Sequence, residues 1–327
     1  MGNQLRHALG LWLGTVLLVI GLVVFYEVSS EAQLSDLVVD SGRLRSHLQT
    51  LSTERYTDLS LARTRAYLTQ QLRDYGYEPS AQSFGSGESS GTNLSVVRPG
   101  TRTPGQTILV GAHYDSVAGS PGADDNASAV VVALEIARIF ADYSTDKTLQ
   151  IVFFDQEELQ PEGAGLLGSS AFVNEADNLN GLESAVILEM LGYACYEPGC
   201  QTYPSGLDQQ DLPTQGDFIG VIGDTDHPDL LAAFAMEGER DNAEPDLRAV
   251  TLPVPIGMLP FVPDLFRSDH VPFWLNGIGA VMVSDTANFR NPNYHRASDT
   301  FESLDLVFLE RTANYVVERV AGLLGNE

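Results

Sequence analysis

Lysine is almost missing from this 327-residue chain: Lys147 is the only one, and 18 basic side chains stand against 44 acidic ones, a net charge of −26. A surface so acidic repels phosphate backbones, which argues against nucleic acid as a partner and suits a salty environment. Cysteine is nearly absent too. Cys195 and Cys200 are the only two, too few for a disulfide scaffold or a thiolate zinc module. Internal repeats and long low-complexity linkers are lacking, so a repeat architecture is not indicated. What is not lacking is apolar material. At 43% hydrophobic residues the chain can bury a substantial core, and a disordered chain is excluded.

The longest apolar run, residues 8–26 (ALGLWLGTVLLVIGLVVFY), carries no charge. At helical rise it nearly matches a hydrocarbon core of roughly 30 Å, so residues 1–27 read as a cytoplasmic stub and a transmembrane signal-anchor helix. Arg6 precedes the run and Glu27 and Glu31 follow it, which leaves residues 28–327 as one extracytoplasmic domain. The rival reading is a signal peptide cleaved near Ser30 and Ala32, which would release a secreted protein. The run is longer than the usual signal core of roughly 7–15 residues, which favours the anchor. Either way the globular part faces an oxidising compartment. There the CYEPGC loop would close as a Cys195–Cys200 disulfide, the alternative being two free thiols in a turn.

Apolar residues recur at helical spacing over residues 34–51 and 61–75, the second ending at Gly76 in a C′ position. Strands are predicted over 93–98, 107–112, 148–154, 184–188, 218–222 and 280–283, and helices over 127–141 and 304–324. Alternating strands and helices predict an α/β fold with a largely parallel or mixed sheet covered on both faces. Ligands of such sheets sit beyond the carboxyl ends of the strands.

Polar residues gather at those ends. His113 and Asp115 follow the strand TILVGA, and Asp124-Asp125-Asn126 precedes a helix. Glu157-Glu158 follows TLQIVFF, Glu189 ends SAVIL, and His295 lies in a loop after AVMV. Singly, each has an ordinary explanation: a strand surfacing, an N-cap, a solvated helix start. Together they form the nitrogen and oxygen donor set that zinc accepts, enough for two metals if one carboxylate bridges and another is left as base.

Six ordered segments, GAHYDS, GADDNAS, VFFDQEE, ILEMLGY, SDHVPFW and RNPNYHRASDT, resemble the co-catalytic zinc aminopeptidases of the M28 peptidase family. The resemblance implies a three-layer α/β/α sandwich on a mixed, mostly parallel sheet of about eight strands. It implies two Zn2+ per chain, with His113 and Glu189 on one metal, Glu158 and His295 on the other, and Asp125 bridging. Glu157 would be the general base that takes a proton from the water activated between the metals, and Asp115 the partner of His113. The implied activity is hydrolysis of N-terminal residues from peptides.

The chain departs from the family pattern in three places. Residues 159–164 intervene before Gly165-Leu166, Ala129 replaces a frequent glycine, and Glu189 stands where several members have Asp. An insertion after the paired glutamates also marks glutaminyl-cyclase-like relatives, which use one zinc. These carry Trp where this chain has Tyr294. A non-catalytic anchored relative is the third reading, and the full set of expected ligands argues against it. For substrate contacts, Arg267 and Arg290 read either as carboxylate clamps or as structural ion pairs, and residues 258–266 as a pocket wall or a packed loop. His270 reads as orienting a neighbour or belonging to a helix cap, while His7, His47 and His227 are not implicated.

Overall fold

A computed structural model describes residues 37–325 except 88–89, 159–164, 208–211, 236–246 and 259–260. The anchor expected at residues 8–26 and the 159–164 insertion lie outside the described residues. Among those described, no helix is long and apolar enough to cross a membrane.

The sheet is organised around β3 (Thr103–His113), whose Ile108, Leu109, Val110 and Ala112 are fully buried. A strand buried on both faces reads as a continuous apolar run and belongs at the centre of a sheet. It runs parallel to β4 (Lys147–Phe154) on one side and β5 (Leu182–Glu189) on the other. β8 (Gly279–Ser284) continues the parallel block beyond β5. Antiparallel strands flank this block: β2 (Gly91–Arg98) against β4, and β6 (Phe218–Asp224) against β8. The edges are β1 (Ser80–Phe84), antiparallel to β2, and β7 (Arg248–Val254), parallel to β6. The full order is β1-β2-β4-β3-β5-β8-β6-β7, a mixed sheet of eight strands. Sequence patterning predicts six of these, and the two it misses are the edges.

Successive strand residues point to opposite faces. Leu109, Val152, Phe154, Ala185, Ile187 and Ala280 pack with Phe172 and Val173 of α4 (Leu167–Asn174) and with Phe273 and Trp274 of α6 (His270–Leu275). The intervening residues Ile108, Val110, Ile151, Phe153 and Val186 are equally buried on the other face. There the sheet meets α3 (Ala129–Ala141), with α1 (Ser41–Leu51), α2 (Asp58–Asp74), α5 (Pro228–Ala233) and α7 (Leu306–Leu324) in the same layer.

The helix ends follow local chemistry. Asp40 accepts from Arg43 N, Thr57 and Ser60 form a reciprocal capping box, and Asp305 accepts from Val307 N and Phe308 N. Gly76, at φ 89°, takes the left-handed turn expected after α2. All four strands of the parallel block end at the same rim, and there the polar segments converge.

Candidate functional site

His113 is the last residue of β3 and Glu189 the last of β5, so two adjacent parallel strands deliver them side by side. His113 Nε2 lies 3.3 Å from Glu189 Oε1, 3.3 Å from Asp125 Oδ1 and 3.9 Å from Glu157 Oε2. Asp125 comes from the π-turn Ala123–Ser128 that leads into α3. Its other oxygen, Oδ2, stands 3.2 Å from His295 Nε2, which is also 3.1 Å from Glu158 Oε2. One carboxylate therefore touches both imidazoles. The donor atoms fall into two groups, His113 with Glu157 and Glu189, and Asp125 with Glu158 and His295, each within 4.8 Å.

Asp115 sits 3.4 Å from His113 Nδ1, on the side away from the carboxylates. It also accepts from Glu157 N and Glu158 N, both at 3.1 Å, which ties the turn after β4 to the turn after β3. The structure thus brings together all seven residues singled out from the sequence.

The supporting frame is mostly backbone hydrogen bonding to side chains the sequence reading treats as ordinary caps or leaves aside. Asp299, fully buried, accepts from Asp124 N and Asp125 N at 2.9 and 3.2 Å. Asn126 donates to Leu188 O and accepts from Met190 N, and Asp124 accepts from Gly192 N and Asn291 Nδ2. The turn that carries Asp125 is in this way fastened to the end of β5, on either side of Glu189, and to the loop that carries His295. Ser268 donates to Glu189 Oε2 at 2.5 Å and sets the orientation of that carboxylate. Gln156, Met190, Ser268 and His295 all have positive φ, between 51° and 83°. Non-glycine residues held there cost about 1–3 kcal/mol each, and such strain concentrates where function requires it.

Electrostatics follow from crowding five carboxyl groups around two imidazoles. Burial alone would lower the His113 pKa, but Glu189 and Glu157 overrule it and hold the ring well above its ordinary value. Burial opposes and Asp125 and Glu158 support a His295 value of about 10. Burial raises Glu158 to about 7, with Asp125 adding to the rise, while Glu157 is pushed up by burial and by Glu189 and Glu158. Burial also acts on Asp125, yet its two imidazole neighbours pull it below the usual carboxylate range. Such a cluster demands added positive charge. Its oxygen and imidazole donors, in two groups with Asp125 reaching the imidazole of each, are a set that zinc accepts.

A cavity of about 150 Å³ adjoins the cluster. Asp125, Glu157, Glu158 and Glu189 form one wall, and Leu207, Phe218, Ile222, Leu252, Leu265 and Met282 line much of the rest. Asp264 and Leu265 place part of segment 258–266 in the wall, while Val262 and Phe266 are core residues, so both readings of that segment apply. Arg267 lines the cavity, donating to Tyr294 Oη at 2.5 Å and to Asn288 Oδ1 at 3.1 Å. Tyr294 in turn stacks on His295, ring centroids 3.7 Å apart. Arg290 is buried between the Phe218 and Phe308 rings and donates to Gln201, a structural role. His270 is fully buried against Trp274 with Nε2 bound to Leu265 O, and Asp269 at the N-cap position makes no side-chain cap bond. His47 pairs with Tyr67 and Tyr75, and His227 with Asp224; neither joins the cluster. His7 lies outside the described residues.

Comparison with known proteins agrees with this geometry. The sequence profile described as Peptidase family M28 matches residues 93–320. The uncharacterized protein YfbL of Escherichia coli (strain K12) is 32% identical over 221 residues, covering 65% of this chain and 66% of that protein. Aminopeptidase YwaD of Bacillus subtilis (strain 168) is 29% identical over 238 residues, covering 69% of this chain and 43% of that protein. The chain therefore spans less than two thirds of either relative. Among solved structures, BSAP, a zinc aminopeptidase from Bacillus subtilis, superposes with a TM-score of 0.66 at 16% identity, over 89% of this chain and 96% of that one. A Macrostomum lignano glutaminyl cyclase superposes with a TM-score of 0.66 at 17% identity, over 89% and 91%. At these identities the structural likeness concerns the fold alone.

Proposed function

Because the chain belongs to peptidase family M28, we propose that it is a zinc-dependent exopeptidase that removes N-terminal residues from peptides. The observation that carries this reading is Asp125, whose two oxygens reach His113 and His295 at 3.3 and 3.2 Å. A carboxylate so placed is the bridge that a two-metal hydrolase requires and a single-metal site does not. His113, Asp125 and Glu189 would hold one ion, and Asp125, Glu158 and His295 the other. When bound, the zinc pair supplies Lewis acidity toward the scissile carbonyl and the attacking water.

The remaining steps belong to the chain's own groups. Glu157 lines the cavity beside the cluster, 3.9 Å from His113 Nε2, where its carboxylate can accept a proton from water and return it to the leaving amine. Asp115 fixes the His113 ring and, through Glu157 N and Glu158 N, the turn that presents the base. The apolar cavity walls would receive an uncharged side chain of the substrate and exclude water around it.

A glutaminyl-cyclase-like acyl transfer is the second reading, favoured by the structural neighbour with that activity. Metal analysis of the purified full chain, with aminoacyl, dipeptidyl and N-terminal glutaminyl substrates assayed with and without chelator, separates the two. Two metals per chain and chelator-sensitive release of N-terminal residues are expected. One metal with cyclisation of glutaminyl peptides would overturn the peptidase reading.

For location, the proposal is a membrane anchor at residues 8–26 with the catalytic domain outside the cytoplasm. The Cys195–Cys200 disulfide in the structure is compatible with such an oxidising compartment. Resistance of the membrane-bound protein to alkaline carbonate extraction is expected, and full release by carbonate would contradict the anchor.

A further inference from the structure

Arg55 lies between α1 and α2, ahead of the stretch that the family profile matches. Its side chain is buried, 1% exposed, and among the described residues its hydrogen bonds go to backbone carbonyls. Nε donates to Tyr114 O at 2.8 Å, and Nη1 to Leu51, Thr53 and Pro121 O at 2.5, 2.8 and 2.8 Å. Nη2 donates to Gly122 O at 2.8 Å and reaches Asp125 O at 3.4 Å. The Arg55 main chain is pinned in turn, since Arg55 N donates to Ser116 Oγ at 3.0 Å and Ser116 N donates to Arg55 O at 3.1 Å. One guanidinium thus grips the Tyr114 carbonyl, between His113 and Asp115 in the chain, and with the same fork the turn that carries Asp125.

Neutral donors would satisfy those carbonyls without the cost of burying a charge. Burial works against this charge and lowers its pKa, while Asp125, Asp299, Asp115 and Glu158 attract it. Gly122 reports how closely the fork is seated. A Cβ there would stand 2.7 Å from Arg55 Nη2 and 2.3 Å from Asp125 O.

We propose that Arg55 is a positioning residue for the metal pair: by joining the residue after His113 to the turn that carries Asp125, it fixes the spacing between those two ligands. The proposal rests on the two-metal reading of the site. A lysine at position 55 keeps the charge but cannot fork across two loops.

The test compares the full chain, wild type and Arg55→Lys, by three measurements: Co2+ and Zn2+ affinity by chelator competition, the visible spectrum of the Co2+-loaded protein, and Tm without metal. Arg55→Lys is expected to lose about ten- to hundredfold in metal affinity, the range for partners that orient ligands, with altered Co2+ absorption. Unchanged affinity and spectrum beside a lowered Tm would reduce Arg55 to a fold brace and overturn the proposal. Should Arg55→Lys fail to fold, Ser116→Ala, which removes the acceptor of Arg55 N together with the Ser116 Oγ bonds to Val117 O and Ser120 O, decides: weakened metal binding supports the role and unchanged binding overturns it. Wild-type protein that takes up no Co2+ would sink the metal reading itself, whereas normal wild-type uptake with an indifferent Arg55→Lys sinks this inference alone.

Discussion

Glu157 and Glu158 are neighbours in the chain, yet they serve different imidazoles: Glu157 is 3.9 Å from His113, and Glu158 is 3.1 Å from His295. The proposed roles differ accordingly, and paired substitutions separate them. Glu157→Gln is expected to keep both metals while turnover falls by about 10²–10⁴-fold, because an amide cannot accept the proton. His295→Ala is expected to lose metal itself, from two ions per chain toward one. Metal analysis with a steady-state assay checks both, and near-full activity of a metal-replete Glu157→Gln would refute the base. At this scale His113, Asp125, Glu158 and Glu189 were legible because they fall at or just after a strand's end or before a helix, where polar residues break an apolar run, while His295, in a loop, was marked by its resemblance to the family pattern. Arg55, Ser268 and Asp299 were not. Each acts through backbone atoms or a partner far away in sequence, as when Asp299 holds Asp125 N, and nothing in its neighbouring residues marks that partner.

Among the elements, the central strands announced themselves and the edge strands did not. β1 reads SAQSF and β7 reads RAVTLPV, with Pro253 inside it, and both are largely half-buried or exposed. An edge strand has one unpaired side and little apolar surface to hide, so its sequence keeps no strict alternation. The short helix α6 carries a pH-sensitive element that was equally hard to read in advance. His270 is fully buried against Trp274, and burial lowers its pKa from 6.5 to about 4. With the folded value below the unfolded one, the unfolded chain binds the proton first. Stability is therefore complete above about pH 6.5 and declines as pH falls toward 4, by about 2 kcal/mol at pH 5. Chemical denaturation at pH 7 and pH 5 is expected to show this loss in the wild type and a smaller one in His270→Gln. An equal loss in both would mean other groups carry the acid sensitivity.

For the molecule as a whole, a net charge of −26 means that folding gathers like charges into a small volume. Salt shortens the screening length from about 10 Å at 0.1 M to about 3 Å at 1 M, so Tm is expected to rise with NaCl over that range. A melting series on the full chain checks this, and a flat or falling Tm would show that the acidic surface is already balanced locally. The order of the six inner strands and the four long helices, the acidic charge and the candidate donor side chains were legible in the sequence alone, because local periodicity and residue chemistry are written in neighbouring positions. Only the tertiary structure decided that Asp125 faces both imidazoles, that Asp115 reaches the turn after β4, and that a guanidinium from residue 55 lies beneath them. The reason is physical. Distances of about 3 Å between groups far apart along the chain depend on how parallel strands align their carboxyl ends, and no window of neighbouring residues encodes that alignment.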